Sequence, residues 1–405
     1  MRQLRTWLAL ERNVLILAGT VLLLLSWMFT WYQLLPVHLR ELGASDEQVG
    51  LSYSLINLGY SLMQLLGGWL ADRYGRKWLI VLPTLGFVPL YLLAGACTHW
   101  LPLLLVMLLT SSLSALQWPS FLSVIAESVK DDQRGTAFGV FEFCVGIGVT
   151  IGPALGTIFV PLIGRRMLIA GTGLVALLCT VLRLGLQETA HHPITTGDGP
   201  GNSANEAWLA TTWLRWFLAA ACLFYVVMGL TVHGPFITLH AADVMHFTDQ
   251  QINSLFAVGG FWATIFSLIG GKIIQRVGSI RSLIVSVLGH AATLLPWALA
   301  TSLLIGFPVF MVSWMLMQMG FVAYETMLSD VTTPRTRGTV VGMFGTVTGL
   351  VSAGTPALGA WLLRYMGALA PFWTAFLFAV LTAVLLVRVA TRPEGSGVNG
   401  LNGLS

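Results

Sequence analysis

Two carboxylates stand inside long apolar runs of this 405-residue chain. An ionisable group in such a run is costly, so it is a functional candidate by default. Glu142 lies eight residues after Arg134, about 12 Å along a helix at roughly 1.5 Å per residue, which sets it deep in its run. It reads either as a proton carrier or cation partner, or as a structural hydrogen bond to a neighbouring helix. Glu325 carries the same two readings and sits nearer the end of its run. Around these acids are groups that bind rather than react. Tyr53, Asn57, Tyr60 and Gln64 recur at i, i+4, i+7 and i+11 and so share one helical face. Trp314, Gln318, Phe321 and Glu325 repeat that spacing, among Met311, Met315, Met317 and Met319. Trp27, Trp31, Gln117, Trp118, Phe121 and Tyr225 extend the set of candidate cavity residues. A soft wall of Met and aromatic side chains suits apolar, variable substrates; helix packing and interhelical hydrogen bonding are the competing accounts. The sequence offers no nucleophile with a neighbouring base, no nucleotide-binding motif and no cysteine pair at metal-ligand spacing. An enzyme is not indicated, and no cofactor or metal is expected.

The elements that must position these groups follow from composition. Hydrophobic residues make up 56% of the chain and charged residues 9%, against about 25% charged in an ordinary soluble domain. A bilayer crossing takes about 20 mostly apolar residues. Twelve such stretches are expected, at 13–36, 48–70, 78–96, 101–125, 137–162 and 167–187, then 214–236, 251–272, 281–300, 303–328, 340–363 and 369–389. The first, preceded by Arg2, Arg5 and Arg12, is read as a retained span. The expected fold is therefore an all-α membrane protein of two six-helix bundles, residues 1–187 and 213–391, with a cytoplasmic linker at 188–212 and a flexible tail at 392–405. With both termini in the cytoplasm, 17 of the 21 basic residues fall on that side and only Arg40, Arg165, Arg166 and Arg364 fall outside. The positive charge thus reflects topology and anionic lipid, not nucleic acid.

A repeat at a constant offset of 203 residues relates the two bundles. Ser45-Asp46-Glu47-Gln48 returns as Thr248-Asp249-Gln250-Gln251, Gly67-Gly68 as Gly270-Gly271, Arg134-Gly135-Thr136 as Arg337-Gly338-Thr339, and Pro153-Ala154-Leu155-Gly156 as Pro356-Ala357-Leu358-Gly359. Ser or Thr followed three residues later by Gln is a capping box, so the second and eighth helices should begin alike. A six-plus-six duplication is a pattern of secondary transporters, whose substrate site lies near the membrane midplane.

Gly68-Trp69-Leu70-Ala71-Asp72-Arg73-Tyr74-Gly75-Arg76-Lys77 resembles, position for position, the loop signature of the major facilitator superfamily, with a degenerate copy at Gly271 through Arg281. Together with the twelve stretches, the resemblance covers essentially the whole chain. It implies that Asp72 latches the two halves by meeting a helix N-terminus, with Arg73 and Arg76 beside it, whereas Gln275 stands at the repeat position; ordering of its own loop is the alternative role of Asp72. Glu127 and Arg134 flank the next loop, as Asp330 and Arg337 do in the second copy, and salt bridges there would gate. Solvated interfacial charge is the alternative. Gly148, Gly152, Pro153 and Gly156 resemble the helix-five signature of the family's proton-coupled drug exporters, with Thr157 where a second Gly is usual. The exporters' intramembrane Arg in helix four is missing: that region reads Met107-Leu108-Leu109. The expectation is a monomeric transporter in the plasma membrane that exports a hydrophobic or amphipathic small molecule in exchange for protons. Uptake of a polar metabolite by symport or uniport is the runner-up, and a non-transporting receptor on the same scaffold is the third reading.

Overall fold

The computed structural model describes residues 11–130, 133–189, 212–330 and 337–391. The expected tail at 392–405 and most of the expected linker lie outside these residues. The elements are helices, as hydrocarbon demands of a backbone that must satisfy its own hydrogen bonds. They run α1 Arg12–Met28, a 3-10 turn at Tyr32–Leu34, α2 Leu35–Glu41, α3 Asp46–Tyr74, α4 Arg76–Ala96, α5 Trp100–Ser128 and α6 Arg134–Arg183. There follow α7 Thr212–Leu230, α8 Phe236–Asp243, α9 Asp249–Val277, α10 Ser279–Leu299, α11 Leu303–Asp330, α12 Arg337–Met366 and α13 Ala370–Ala390.

Among the described residues nine helices are long and apolar enough to cross a membrane, ten if the bent α9 is counted as one span. The chain is thus an all-helical membrane protein, while the expected count of twelve goes beyond what length and apolarity alone give. Part of the difference is α6. Its 50 residues would reach about 75 Å, more than twice the roughly 30 Å of a bilayer core. It holds both the fifth and the sixth expected stretch, joined at Gly164, which turns at φ 78°. Helix α3, bearing the polar stripe, is not among the nine.

The repeat is carried in the backbone. Helices α3 and α4 begin and end 203 residues before α9 and α10, and α5 and α6 begin 203 before α11 and α12. Among the described residues six have left-handed backbone, and they form three pairs at that offset: Gly43 (φ 92°) with His246 (φ 53°), Gly75 (φ 90°) with Gly278 (φ 92°), and Gly164 with Gly367 (φ 94°). Both capping boxes close. The Ser45 N–H donates to Gln48 Oε1 at 2.8 Å and the Gln48 N–H to Ser45 Oγ at 3.3 Å, matched by Thr248 to Gln251 at 2.9 Å and Gln251 to Thr248 at 3.3 Å.

The chain divides into two compact units, Met1–Thr195 with Phe247–Ala257, and Thr196–His246 with Val258–Ser405. The first turns of α9 therefore group with the first unit, a division the linker position did not suggest. In the first unit α1 lies along α6, α3 on α5, and α4 on α5 and α6. Gly148, Gly152 and Gly156 form the seam with α1: an added Cβ would come within 2.9 Å of Leu25 Cβ, 2.5 Å of Phe29 Cβ and 2.3 Å of the Thr30 carbonyl oxygen. In the second unit α7 lies on α12 and α13, and α10 on α11 and α13. There Gly359, at the repeat of Gly156, stays on α12 against Phe236 and Leu230, but one glycine has changed sides. Thr355 stands at the repeat of Gly152, and Gly229, at the repeat of Ser26, makes room for it, since a Cβ on Gly229 would be 2.8 Å from Thr355 Cγ2.

Gly43 has open space where a Cβ would sit, so substitution there reads backbone strain alone. Gly43→Ala should cost about 1 kcal/mol, the penalty of a left-handed non-glycine residue, and lower the thermal unfolding midpoint of the purified chain. An unchanged midpoint would contradict the assignment.

Candidate functional site

At one end of the first unit, α3 stops at Tyr74, Gly75 reverses the chain and α4 begins. The exposed N–H groups of Arg76 and Lys77 donate to Glu188 Oε1 at 2.9 and 3.3 Å. A carboxylate from beyond α6 thereby caps α4, where anions are favoured. Arg76 forms an ion pair with Glu127 near the end of α5, the two side chains being 11% and 24% exposed. Arg134 donates through Nε to the Ala126 carbonyl at 3.0 Å, one residue before Glu127. Asn13 Nδ2 reaches Ser128 Oγ at 2.9 Å and the Gln187 carbonyl at 3.1 Å, so α1 joins the same knot. The repeat positions hold the same junction in weaker form: Ser279 Oγ, at the repeat of Arg76, donates to Asp330 Oδ2 at 3.1 Å. The Arg73 guanidinium lies over Trp69 and Tyr74, 5.5 and 5.8 Å from the ring centroids. The side chains of Asp72 and Arg337 lie outside what the structure describes.

A second charged cluster ties the other ends of these helices. Arg165, beside the Gly164 turn, pairs with Glu41 and, at 2.9 Å, with Asp249 of α9. Arg40 pairs with Asp46, and His38 Nδ1 lies 3.6 Å from Glu41. Asn253 donates to the Thr30 carbonyl at 3.1 Å and packs against Gly156, while Thr157 and Ser254 hydroxyls meet at 3.4 Å. These bonds explain why the start of α9 groups with the first unit.

Between the two ends, several candidate lining residues serve as fasteners. The Trp27 indole donates to the Leu168 carbonyl at 3.0 Å and Trp31, buried, to Thr172 Oγ1 at 2.9 Å. Trp118, Phe121 and Phe141 form an aromatic cluster with centroids about 6 Å apart (5.9 and 6.1 Å). Along α3, Tyr53 is buried, Asn57 and Tyr60 are half-buried and Gln64 is exposed. Glu142 is exposed on a face of α6 that also carries Gly139 and Gly146, where an added Cβ would meet nothing within 4 Å. In the second unit Glu325 is likewise exposed. Among the described residues neither carboxyl has a hydrogen-bond or ion-pair partner. Trp314 packs on Phe310 at 5.1 Å and Tyr225 meets Tyr324 edge-on at 5.7 Å, while Gln318 and Phe321 are half-buried.

Two buried groups were not singled out from the sequence. Arg183, inside the expected stretch 167–187 and counted there only among the basic residues of the cytoplasmic side, is 1% exposed and bonded to Thr20, Thr84 and Gln117. His290, fully buried, holds Thr231 at 3.3 Å through Nε2 and Ser313 at 2.9 Å through Nδ1. The available signal was the set of lone polar residues in neighbouring apolar runs, which need one another once buried.

The Arg76–Glu127 pair is enclosed, so replacing the Glu127 carboxylate removes a largely desolvated ion pair. Glu127→Gln should lower the unfolding midpoint. Arg76→Ser with Glu127→Asp, which copies the Ser279–Asp330 junction, should recover part of the loss, with a coupling of about 0.5–3 kcal/mol in a double-mutant cycle. Additive losses would show that the two side chains act independently.

Comparison with known proteins gives one consistent picture. The family model described as Major Facilitator Superfamily matches residues 16–312 and 219–403. The quinolone resistance protein NorA of Staphylococcus aureus (strain MSSA476) is 21% identical over 262 residues, covering 64% of this chain and 66% of NorA, just under two thirds of its length. The class G tetracycline resistance protein of Vibrio anguillarum is 26% identical over 331 residues, 80% of this chain and 83% of that protein. The crystal structure of the nucleoside transporter NupG superposes with a TM-score of 0.75 at 15% identity, over 93% of this chain and 98% of NupG, a likeness of fold.

Proposed function

This chain belongs to the Major Facilitator Superfamily and is a membrane transporter, not an enzyme; on that premise we propose that it exports a hydrophobic or amphipathic small molecule by alternating access in exchange for protons. The observation that carries the reading is Glu142. It is an acid within a long apolar helix, exposed beside Gly139 and Gly146, with no partner among the described residues. An unpaired carboxyl in such a place has two useful states. Ionised, it attracts a cationic or polar-headed substrate; protonated, it is neutral and lets the substrate go. Proton uptake and substrate release are then one event at one carboxyl. Glu325 offers a second such group in the other unit. Aromatic surfaces at Trp118, Phe121, Tyr225 and Trp314 suit an apolar cargo. The resistance proteins among its relatives support the export direction. The protein works as a monomer in the plasma membrane with both termini in the cytoplasm, the orientation that keeps most Lys and Arg inside. The Arg76–Glu127 and Arg165–Asp249 clusters are the charges that part and re-form as the helices move.

A second reading, uptake of a polar metabolite, is favoured by the stripe Tyr53, Asn57, Tyr60 and Gln64 and by the fold shared with a nucleoside transporter. Flux across reconstituted vesicles separates the two. Under an imposed pH gradient the native chain should move lipophilic cations, and Glu142→Gln, held in the neutral state, should lose most of that gradient-driven flux and bind the cation more weakly. Flux with unaltered pH dependence in Glu142→Gln removes Glu142 as the proton carrier. Gradient-driven uptake of polar metabolites with no movement of lipophilic cations selects the second reading.

A further inference from the structure

Arg183 ends α6 with its guanidinium turned into the first unit. Its Nε donates to Thr20 Oγ1 of α1 at 3.0 Å, and its Nη1 donates to Thr84 Oγ1 of α4 at 2.5 Å and to Gln117 Oε1 of α5 at 3.0 Å. The Phe121 ring centroid lies 5.0 Å from Cζ. Every one of these partners is neutral, and no carboxylate pairs with Arg183 among the described residues. A guanidinium does not lose its charge in a protein, and an uncompensated buried charge costs several kcal/mol.

What remains unsatisfied around it can donate. The two threonine hydroxyls are already used, giving their own protons to the Ile16 carbonyl at 2.7 Å and the Ile80 carbonyl at 2.6 Å. Gln117 must turn its oxygen to the donor-only guanidinium, which leaves its Nε2 buried with no partner. Ser120 Oγ is also buried with no partner. Gln117, Ser120 and Phe121 are i, i+3 and i+4 on α5, so Ser120 stands on the face whose other two residues Arg183 touches. Arg183 Nη2 makes no hydrogen bond among the described residues.

The architecture does not require this cluster. The repeat positions of Thr20, Thr84, Gln117, Ser120 and Arg183 in the second unit are Leu223, Val287, Gly320, Ala323 and Leu386, and the same fold forms there without a polar group at any of them. A surplus positive charge surrounded by spare donors lacks one thing, an acceptor that carries negative charge. Water would supply the acceptor and leave the charge; a cation would add to it.

We infer that Arg183, Gln117 Nε2 and Ser120 Oγ form a binding site for one small monovalent anion, a halide or a carboxylate group. The site is independent of the direction of transport and of Glu142.

The test uses the purified full-length chain and its unfolding midpoint at fixed ionic strength, with chloride, acetate or bulky gluconate as the anion. Chloride or acetate should raise the native midpoint over gluconate in a saturable way, and which of the two saturates first separates halide from carboxylate. Ser120→Ala, which removes only a hydroxyl, should raise the half-saturating concentration several-fold, and Arg183→Gln should abolish the response. Bromide soaked into crystals should give one anomalous peak beside Arg183. No saturable anion effect in the native chain overturns the proposal, as does an effect that Ser120→Ala leaves unchanged. Should Arg183→Gln fail to fold, the Ser120→Ala titration and the bromide peak decide the matter.

Discussion

Helices in hydrocarbon gain nothing by hiding apolar surface from one another, so their association rests on how closely backbones approach. In this protein that approach is made where α1 lies on α6. Gly148, Gly152 and Gly156 leave no room for a methyl group against Leu25, Phe29 and Thr30. The indoles of Trp27 and Trp31 reach the later part of α6 because this seam brings α1 near enough. Another face of α6, with Gly139, Glu142 and Gly146, is not packed in this way.

The second unit meets the same constraint with the roles of the helices exchanged at one position, Gly229 of α7 making way for Thr355 of α12, while Gly359 keeps its place on α12. What must be preserved is a gap of one side chain between two rods, and either rod can supply it. The ends of the helices show a similar economy. An ion pair between Arg76 and Glu127 in one unit is a hydrogen bond between Ser279 and Asp330 in the other. Position is shared, and the strength of the fastening is not.

The sequence was legible where a residue's role depends on its own backbone. The capping boxes at Ser45 and Thr248 and the 203-residue register follow from local rules, and the helices begin where those rules put them. It was less legible where a role depends on the neighbour that folding supplies. Glu127 was read beside Arg134 because both flank one loop; across the helices Glu127 reaches Arg76, and Arg134 takes a carbonyl instead. Gln117 read as a cavity residue, and it is bound to an arginine 66 positions away. Arg183 itself escaped notice because a basic residue at the end of an apolar run looks like an ordinary interfacial charge, and only the convergence of α1, α4 and α5 makes it an interior one. The exposures of Glu142 and Glu325 likewise depend on what the packed bundle places around them.

The three pairs of left-handed residues have a consequence for what the two halves hold in common. Acids, aromatics and hydrogen-bonding groups differ between them, yet Gly75 and Gly278, and Gly164 and Gly367, share one backbone shape, and His246 takes the shape of Gly43 without being glycine. The corners at which the rods are joined are thus alike in the two halves, while the side chains carried on the rods are not.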